Sequence, residues 1–321
     1  MTAPPLPEGL RPGGRCAEWR PGRPAYCVAD VDGTLLARGD RATPAVAAAV
    51  AEAEAAGIAV GVATGRPPVG VAPLIEQLRA SGPHIVHDGA EVRVGDRPVR
   101  TWPLTAAERD ALLALCDSRD LYCELWLRPD ADGREPLVVT RRHPRARVHW
   151  DAVTGPPDAV VGEVPLGEVV KATVVVYAPD PVEPVIEALV AAGLRVGHST
   201  SPVMPDLTFL NVTTPSADKG TALAAAAAHV GCGTEEVVAI GDGRNDVPLF
   251  AVAGTAVAMG QSAPEVIAAA HLVAPDVADD GVAAALAAAT AWRRAGAPAG
   301  TAPATGGDGG VSPERPSTEA R

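Results

Sequence analysis

Residues 25–36 read AYCVADVDGTLL. An apolar run ends in Asp30, and a second carboxylate, Asp32, follows within a turn containing Gly33. A short apolar run bounded by turn formers reads as a buried strand. The pattern then repeats outward. Thr43–Pro44 opens a helix, with Thr as cap and Pro at the first position, and Gly57 closes it. IAVGVAT (58–64) is a second strand, Pro67–Pro68 starts a helix running to about Ala80, and HIVH (84–87) is a third strand. EVVAIGD (236–242), TAVAM (255–259) and HLVA (271–274) continue the series near the other end. Short strands alternating with helices predict an α/β fold with a doubly wound parallel sheet. Functional residues of such sheets sit at the carboxyl ends of strands, where Asp30, Thr64 and Asp242 all fall.

Residues 91–207 differ in character. They hold Trp102, Trp126 and Trp150, the strand-like runs YCELWL, PLVVT, VVKATVVVY and LRVGHS, and helical stretches near 105–119 and 181–192. This predicts an α+β insert, with the core chain leaving after Gly89 and returning near Phe209. The core is then 25–90 and 208–292, residues 1–24 are a disordered tail, and 293–321 are a helix end and a second Pro/Gly-rich tail.

The chain has 321 residues, a net charge of -12 and 47% apolar residues. So acidic a chain has no electrostatic case for nucleic acid or anionic membrane. It repels phosphorylated molecules at long range, so phosphate chemistry would need a local cation. Five scattered cysteines without a CxxC pair argue against a zinc site or a disulfide framework, and for a reducing, cytoplasmic compartment. No signal peptide and no membrane span is expected. A monomer or homodimer is expected.

Four segments carry chemistry. In DVDGTLL (30–36), one carboxylate can attack phosphorus while the other donates and accepts protons. In ATGRP (63–67), Thr64 and the exposed N–H groups beside Gly65 can bind phosphoryl oxygens. In DKG (218–220), Lys219 begins a helix, where a cation is disfavoured unless it has a task. In GDGRND (241–246), Asp242, Asn245 and Asp246 offer hard oxygen ligands of the kind Mg²⁺ takes. Each alone also fits an ordinary turn, cap or surface residue; their order and shared sheet edge favour a site.

Together these four segments resemble the motifs of the haloacid dehalogenase (HAD) superfamily, and specifically its Cof-like sugar-phosphatase branch. FLNVTTPSADKG (209–220) and VAMGQSAPEVIAAAHLVAPDVADDGVAAAL (257–286) resemble that branch as well. The resemblance implies a Rossmann-like core with an α/β cap at 91–207, and a Mg²⁺-dependent phosphatase acting on a small phosphorylated metabolite. It implies Asp30 as nucleophile and metal ligand. Asp32 is general acid/base with its backbone carbonyl on the metal, and Thr64 and Gly65 bind the phosphoryl group. Lys219 stabilises charge, Asp242 anchors the metal and Asn245 touches phosphate. Asp246 belongs to the metal site, orienting its waters or Lys219.

Two positions depart from the branch: Asp88 where it usually has Asn, and Gln261–Ser262 where it usually has Asn-Ala. Asp88 either binds a substrate hydroxyl or caps a turn; the turn is favoured. His84 and His87 have no partner set for zinc. The three tryptophans are read as packing before stacking on a ring. Arg141, Arg142, Arg145 and Arg147 form a basic cluster read as a solvated loop before a site for a second phosphate or carboxylate of a substrate, and Arg66 and Arg244, beside motif residues, are within reach of the phosphate but not assigned to it. A phosphomutase, a binding protein with a dead site and a dehalogenase remain as alternatives.

Overall fold

A computed structural model describes residues 6, 9–20, 22–130, 134–150, 154–201 and 204–295. The chain begins with β1 (Arg11–Pro12) and a short 3-10 turn at Cys16–Glu18, then enters β2 (Tyr26–Ala29), which is buried along its length. Thr43 caps α1 (Pro44–Ala55), its hydroxyl accepting the Val46 N–H at 3.2 Å. Gly57, at φ +79°, turns the chain toward β3 (Ala59–Val62). α2 (Pro68–Leu78) follows, burying Val71, Leu74 and Leu78. β4 (His84–Val86), β5 (Glu91–Val94) and β6 (Arg97–Thr101) then form an antiparallel three-stranded sheet.

The insert follows. It comprises α3 (Ala106–Ser118), β7 (Tyr122–Leu127), β8 (Leu137–Val139) and α4 (Ala146–His149). β9 (Ala159–Val160), β10 (Val169–Tyr177), α5 (Glu183–Ala191), β11 (Arg195–Ser201) and β12 (Met204–Thr213) complete it. Its sheet has the order β11-β12-β10-β7-β8-β9. Alternate side chains take opposite faces. Leu125, Ala172, Val174 and Val212 pack with Leu112 of α3 and Leu189 of α5. The other face carries Tyr122, Val175, Tyr177 and Phe209.

The core resumes with α6 (Lys219–Val230), β13 (Val237–Gly241), α7 (Val247–Val252), β14 (Thr255–Ala258), α8 (Pro264–Ala269), β15 (Leu272–Val273) and α9 (Gly281–Ala295). Its sheet has the order β1-β15-β14-β13-β2-β3. Every neighbouring pair in it is parallel except β1 with β15. One face packs residues of α1, α2 and α9, and the other residues of α6, α7 and α8. That is the doubly wound α/β core with an α+β insert that the sequence predicts.

Four expectations change. Part of the stretch read as a disordered tail is folded: Trp19 is 1% exposed, donates its indole N–H to Thr255 Oγ1 at 3.1 Å and packs on Trp292. β4 is not laddered into the parallel sheet but heads the antiparallel hairpin, meeting the end of β3 through a parallel Ala63–Ile85 bridge and the His84 side chain on the Val62 N–H. Residues 91–101 therefore pair with a core strand rather than with the insert. Phe209 lies inside β12, which pairs with β10 and β11 throughout, so the insert runs on to Thr213. The tail beyond residue 295 lies outside the described residues. The chain's two crossings between core and insert meet in one small apolar cluster, Ala90, Val170 and Ala217 against Trp102.

Candidate active site

β2 and β13 are adjacent and parallel, and each is followed directly by an aspartate, Asp30 and Asp242. The Asp30 N–H donates to Ile240 O at 2.9 Å, so the pairing continues to the strand tip. The chain switches direction here, β2 passing to β3 on one side with β13 on the other, the usual place for a site in such a sheet. Gly33 sits at φ +88°, and a Cβ there would lie 2.3 Å from Asp242 Oδ2, so only glycine fits between the two motifs. Gln261 braces the same loop, its amide donating to Gly33 O at 2.5 Å while its oxygen accepts the Val277 N–H.

Lys219 is fully buried, with Asp30 Oδ1 and Asp246 Oδ1 each 2.6 Å from its ammonium. Asp246 Oδ2 accepts the N–H groups of Asp242 and Gly243, both at 3.0 Å. Thr34 donates its hydroxyl to Asp242 Oδ1 at 3.0 Å. Burial pushes the Asp30 carboxyl well above the ordinary range, with Lys219 opposing. Burial pulls the Lys219 ammonium down, but Asp246 and Asp30 outweigh that and hold it above the ordinary lysine value. Burial, then Asp246, pushes Asp242 up to about 6.

Asp30, Asp242 and Asp246 offer oxygens that all lie within 4.8 Å of one another. Three crowded carboxylates face one ammonium, so the donor set and its charge fit a hard divalent cation. Asp246 already accepts three hydrogen bonds, which leaves Asp30 and Asp242 the freer oxygens.

The Asp32 side chain stands outside this cluster. It is exposed and accepts two hydrogen bonds from Arg66, at 3.0 and 2.5 Å. Thr64 is buried, its hydroxyl accepting the Arg66 N–H at 3.1 Å. Gly65 O accepts from Lys171, which reaches across from the insert at 2.7 Å. Asn245 is exposed and donates to Asp88 Oδ1 at 3.3 Å. His87 and Asp88 both have positive φ, +54° and +56°, and their N–H groups donate to Arg66 O and Thr64 O. Asp88 thus lies in a turn, and that turn wraps the phosphoryl-binding candidate Thr64.

Other candidates are accounted for elsewhere. His84 Nδ1 accepts the Val62 N–H at 3.3 Å, and burial holds its ring down to about 4. His87 Nε2 meets Glu135 at 3.1 Å and its ring packs on Trp126. Trp150 donates to the Tyr122 hydroxyl at 2.8 Å. Arg141 pairs with Asp120, and Arg145 lies 4.6 Å above the Tyr177 ring. Sequence reasoning left three residues of the site without a role. Arg66 follows Thr64 by two positions, a weak signal. Gln261 showed only as a departure from the branch. Lys171, one charge inside the apolar run VVKATVVVY, was the strongest signal overlooked.

The arrangement is equipped for nucleophilic chemistry on an anion: a buried carboxylate fixed by an ammonium, an exposed second carboxylate, and a hydroxyl at the next strand end. The family model for haloacid dehalogenase-like hydrolases matches residues 27–132 and 197–286, more than half of the chain. A phosphoglycolate phosphatase from Methanopyrus kandleri is 29% identical over 258 residues, covering 80% of this chain and 93% of its own. A protein of Arabidopsis thaliana named endoribonuclease YBEY, chloroplastic, is 25% identical over 280 residues; the match covers 81% of this chain but only 45% of that one. A solved structure described as an HAD subclass IIB sugar phosphatase is 23% identical, with a TM-score of 0.66 over 82% of this chain and 98% of that one. At that identity the likeness speaks to the fold.

Proposed function

The chain belongs to the haloacid dehalogenase-like hydrolase family, and on that premise we propose that it is a phosphatase hydrolysing a small phosphorylated metabolite in two steps. The observation that carries this is the buried Asp30–Lys219–Asp246 chain beside Asp242. Lys219 occupies Asp30 Oδ1, and the other carboxylate oxygen attacks phosphorus. The ester P–O bond breaks, and Asp32, released from Arg66, protonates the leaving oxygen. Asp32 then takes a proton from water as that water attacks phosphorus. The aspartyl–phosphate bond breaks, inorganic phosphate leaves and Asp30 is restored. Thr64 and the N–H groups beside Gly65 hold phosphoryl oxygens, with Asn245 at their edge.

Asp30 and Asp242, with the Asp32 backbone carbonyl, would hold Mg²⁺; when bound it supplies charge stabilisation to the transferring phosphoryl group. Asp246 positions Lys219 and the Asp242–Gly243 turn. The insert acts as the cap that excludes water and meets the leaving group. Names of relatives, phosphoglycolate phosphatase and sugar phosphatase, support a sugar phosphate or a similar small monoester as substrate.

The test is a phosphate-release screen over a panel of phosphorylated metabolites, with and without Mg²⁺. Metal-dependent release of free phosphate is expected, which also separates hydrolysis from a phosphomutase. Asp30→Asn is expected to lose at least about a thousandfold in kcat, as removal of a covalent nucleophile does. Full activity in that variant overturns the assignment.

A further inference from the structure

Core and insert meet beside Asp88, where Lys171 of the insert reaches Gly65 O at 2.7 Å and Glu135 of the insert meets His87 at 3.1 Å. Asp88 is 4% exposed and held in the left-handed region at φ +56°, a conformation that costs a non-glycine residue free energy and gathers at functional sites. Its N–H is fixed on Thr64 O at 3.0 Å, one residue from the phosphoryl-binding loop. Its Oδ1 accepts from Asn245, and its Oδ2 is turned toward the insert. There the insert has Gly197, where a Cβ would stand 3.2 Å from Asp88 Oδ2.

From the insert side comes Lys171. It is 4% exposed, and Gly65 O at 2.7 Å takes one of its three N–H donors. Asp88 and Glu124 are close enough to act on its charge, partly offsetting a burial that pushes it down to about 8. Yet no direct ion pair joins Lys171 to Asp88 among the described residues. A carboxylate from the core and an ammonium from the insert thus both lie against the Thr64–Gly65 loop that would hold the phosphoryl group, Asp88 through its N–H on Thr64 O and Lys171 through its bond to Gly65 O. The carboxylates around Lys171 disfavour a second anion there. A hydroxyl suits both walls: it donates to Asp88 and accepts from Lys171.

We infer that Asp88 of the core and Lys171 of the insert together read a hydroxyl of the leaving group close to the ester oxygen, and so set the enzyme's specificity. This rests on the phosphatase reading above. A buried site built to pair with a hydroxyl discriminates strongly against an analogue lacking it, because its polar groups are then left unpaired.

The experiment is steady-state phosphate release by the full chain with Mg²⁺ on two kinds of monoester. One is a panel of hexose, pentose and glycerol monophosphates; the other is p-nitrophenyl phosphate, which has no hydroxyl to read. The measured quantity is the ratio of kcat/KM between the best hydroxylated substrate and p-nitrophenyl phosphate. Asp88→Asn and Lys171→Met are each expected to lower this ratio at least about tenfold. The double variant should lose less than the two single losses multiplied, because both walls read one group. Gly197→Ala, which narrows the space without removing a charge, should lower the ratio too, and it stands in if Lys171→Met does not fold. The idea is overturned if the ratio stays within about twofold of wild type in these variants. It is equally overturned if the wild-type enzyme turns over p-nitrophenyl phosphate and none of the hydroxylated panel. Release from neither kind sinks the phosphatase reading itself, and this inference with it.

Discussion

Lys219 shows what a single charge does when it has no water. Its ammonium is paired directly with Asp30 and Asp246, both at 2.6 Å. Lys219→Met leaves those carboxylates close together without their cation, and breaking a buried pair in this way costs about 3–5 kcal/mol. Denaturant unfolding without metal should show that loss together with loss of turnover; an unchanged midpoint would count against the balance described. Glu91 is a second buried ionisable group, away from the chemistry. It is 0% exposed, neither of its oxygens makes a hydrogen bond, and Arg93 lies 3.6 Å away. Burial, then Glu135, pushes its carboxyl from 4.5 up to about 8, with Arg93 opposing. A carboxyl with a raised folded-state pKa binds its proton more tightly when folded. Its stabilising contribution is therefore complete at acid pH and is lost as pH rises through about 8. Stability should fall between pH 5.5 and 8.5, and Glu91→Gln should flatten that slope; equal slopes in melting curves would refute it.

Among the elements, the two-residue β1 depends on contacts remote in sequence. Trp19 anchors it against Thr255 and Trp292. Trp19→Ala is expected to cost about 3–5 kcal/mol, as large-to-small changes at buried aromatics do, measured by denaturant unfolding. A cost within error of zero would mean that the segment is not held. This element also shows where sequence reading stops. β2, β3 and β13 are continuous apolar runs ending at the site, so burial on both faces announces them. Arg11–Pro12 has no period to read, and its pairing with β15 is a tertiary fact. β4 looked like its neighbours, but the turn at His87 and Asp88 sends the chain into a hairpin. The end of the insert was misplaced because β12 runs without a break toward the motif at 218–220. Of the candidate site, Asp30, Asp32, Thr64, Lys219 and Asp242 were legible because the proposed chemistry restricts the residue type. Gln261 and Lys171 were not, because their partners are backbone carbonyls that any sequence supplies.

For the whole molecule, a net charge of -12 surrounds a site meant for anions. Long-range repulsion should lower the capture of a dianionic monoester at low ionic strength and be screened as the Debye length shrinks to about 10 Å at 0.1 M salt. Accordingly kcat/KM should rise with added salt at fixed Mg²⁺, and a fall would show that the local cations dominate capture instead. The chain crosses between core and insert at two places, and both meet at the cluster of Trp102, Ala90, Val170 and Ala217. A unit whose entrance and exit share one doorway behaves as a cassette. It would be exchanged at two neighbouring joints for another of different make, while the core beneath keeps the aspartates that follow β2 and β13 and the lysine that starts α6.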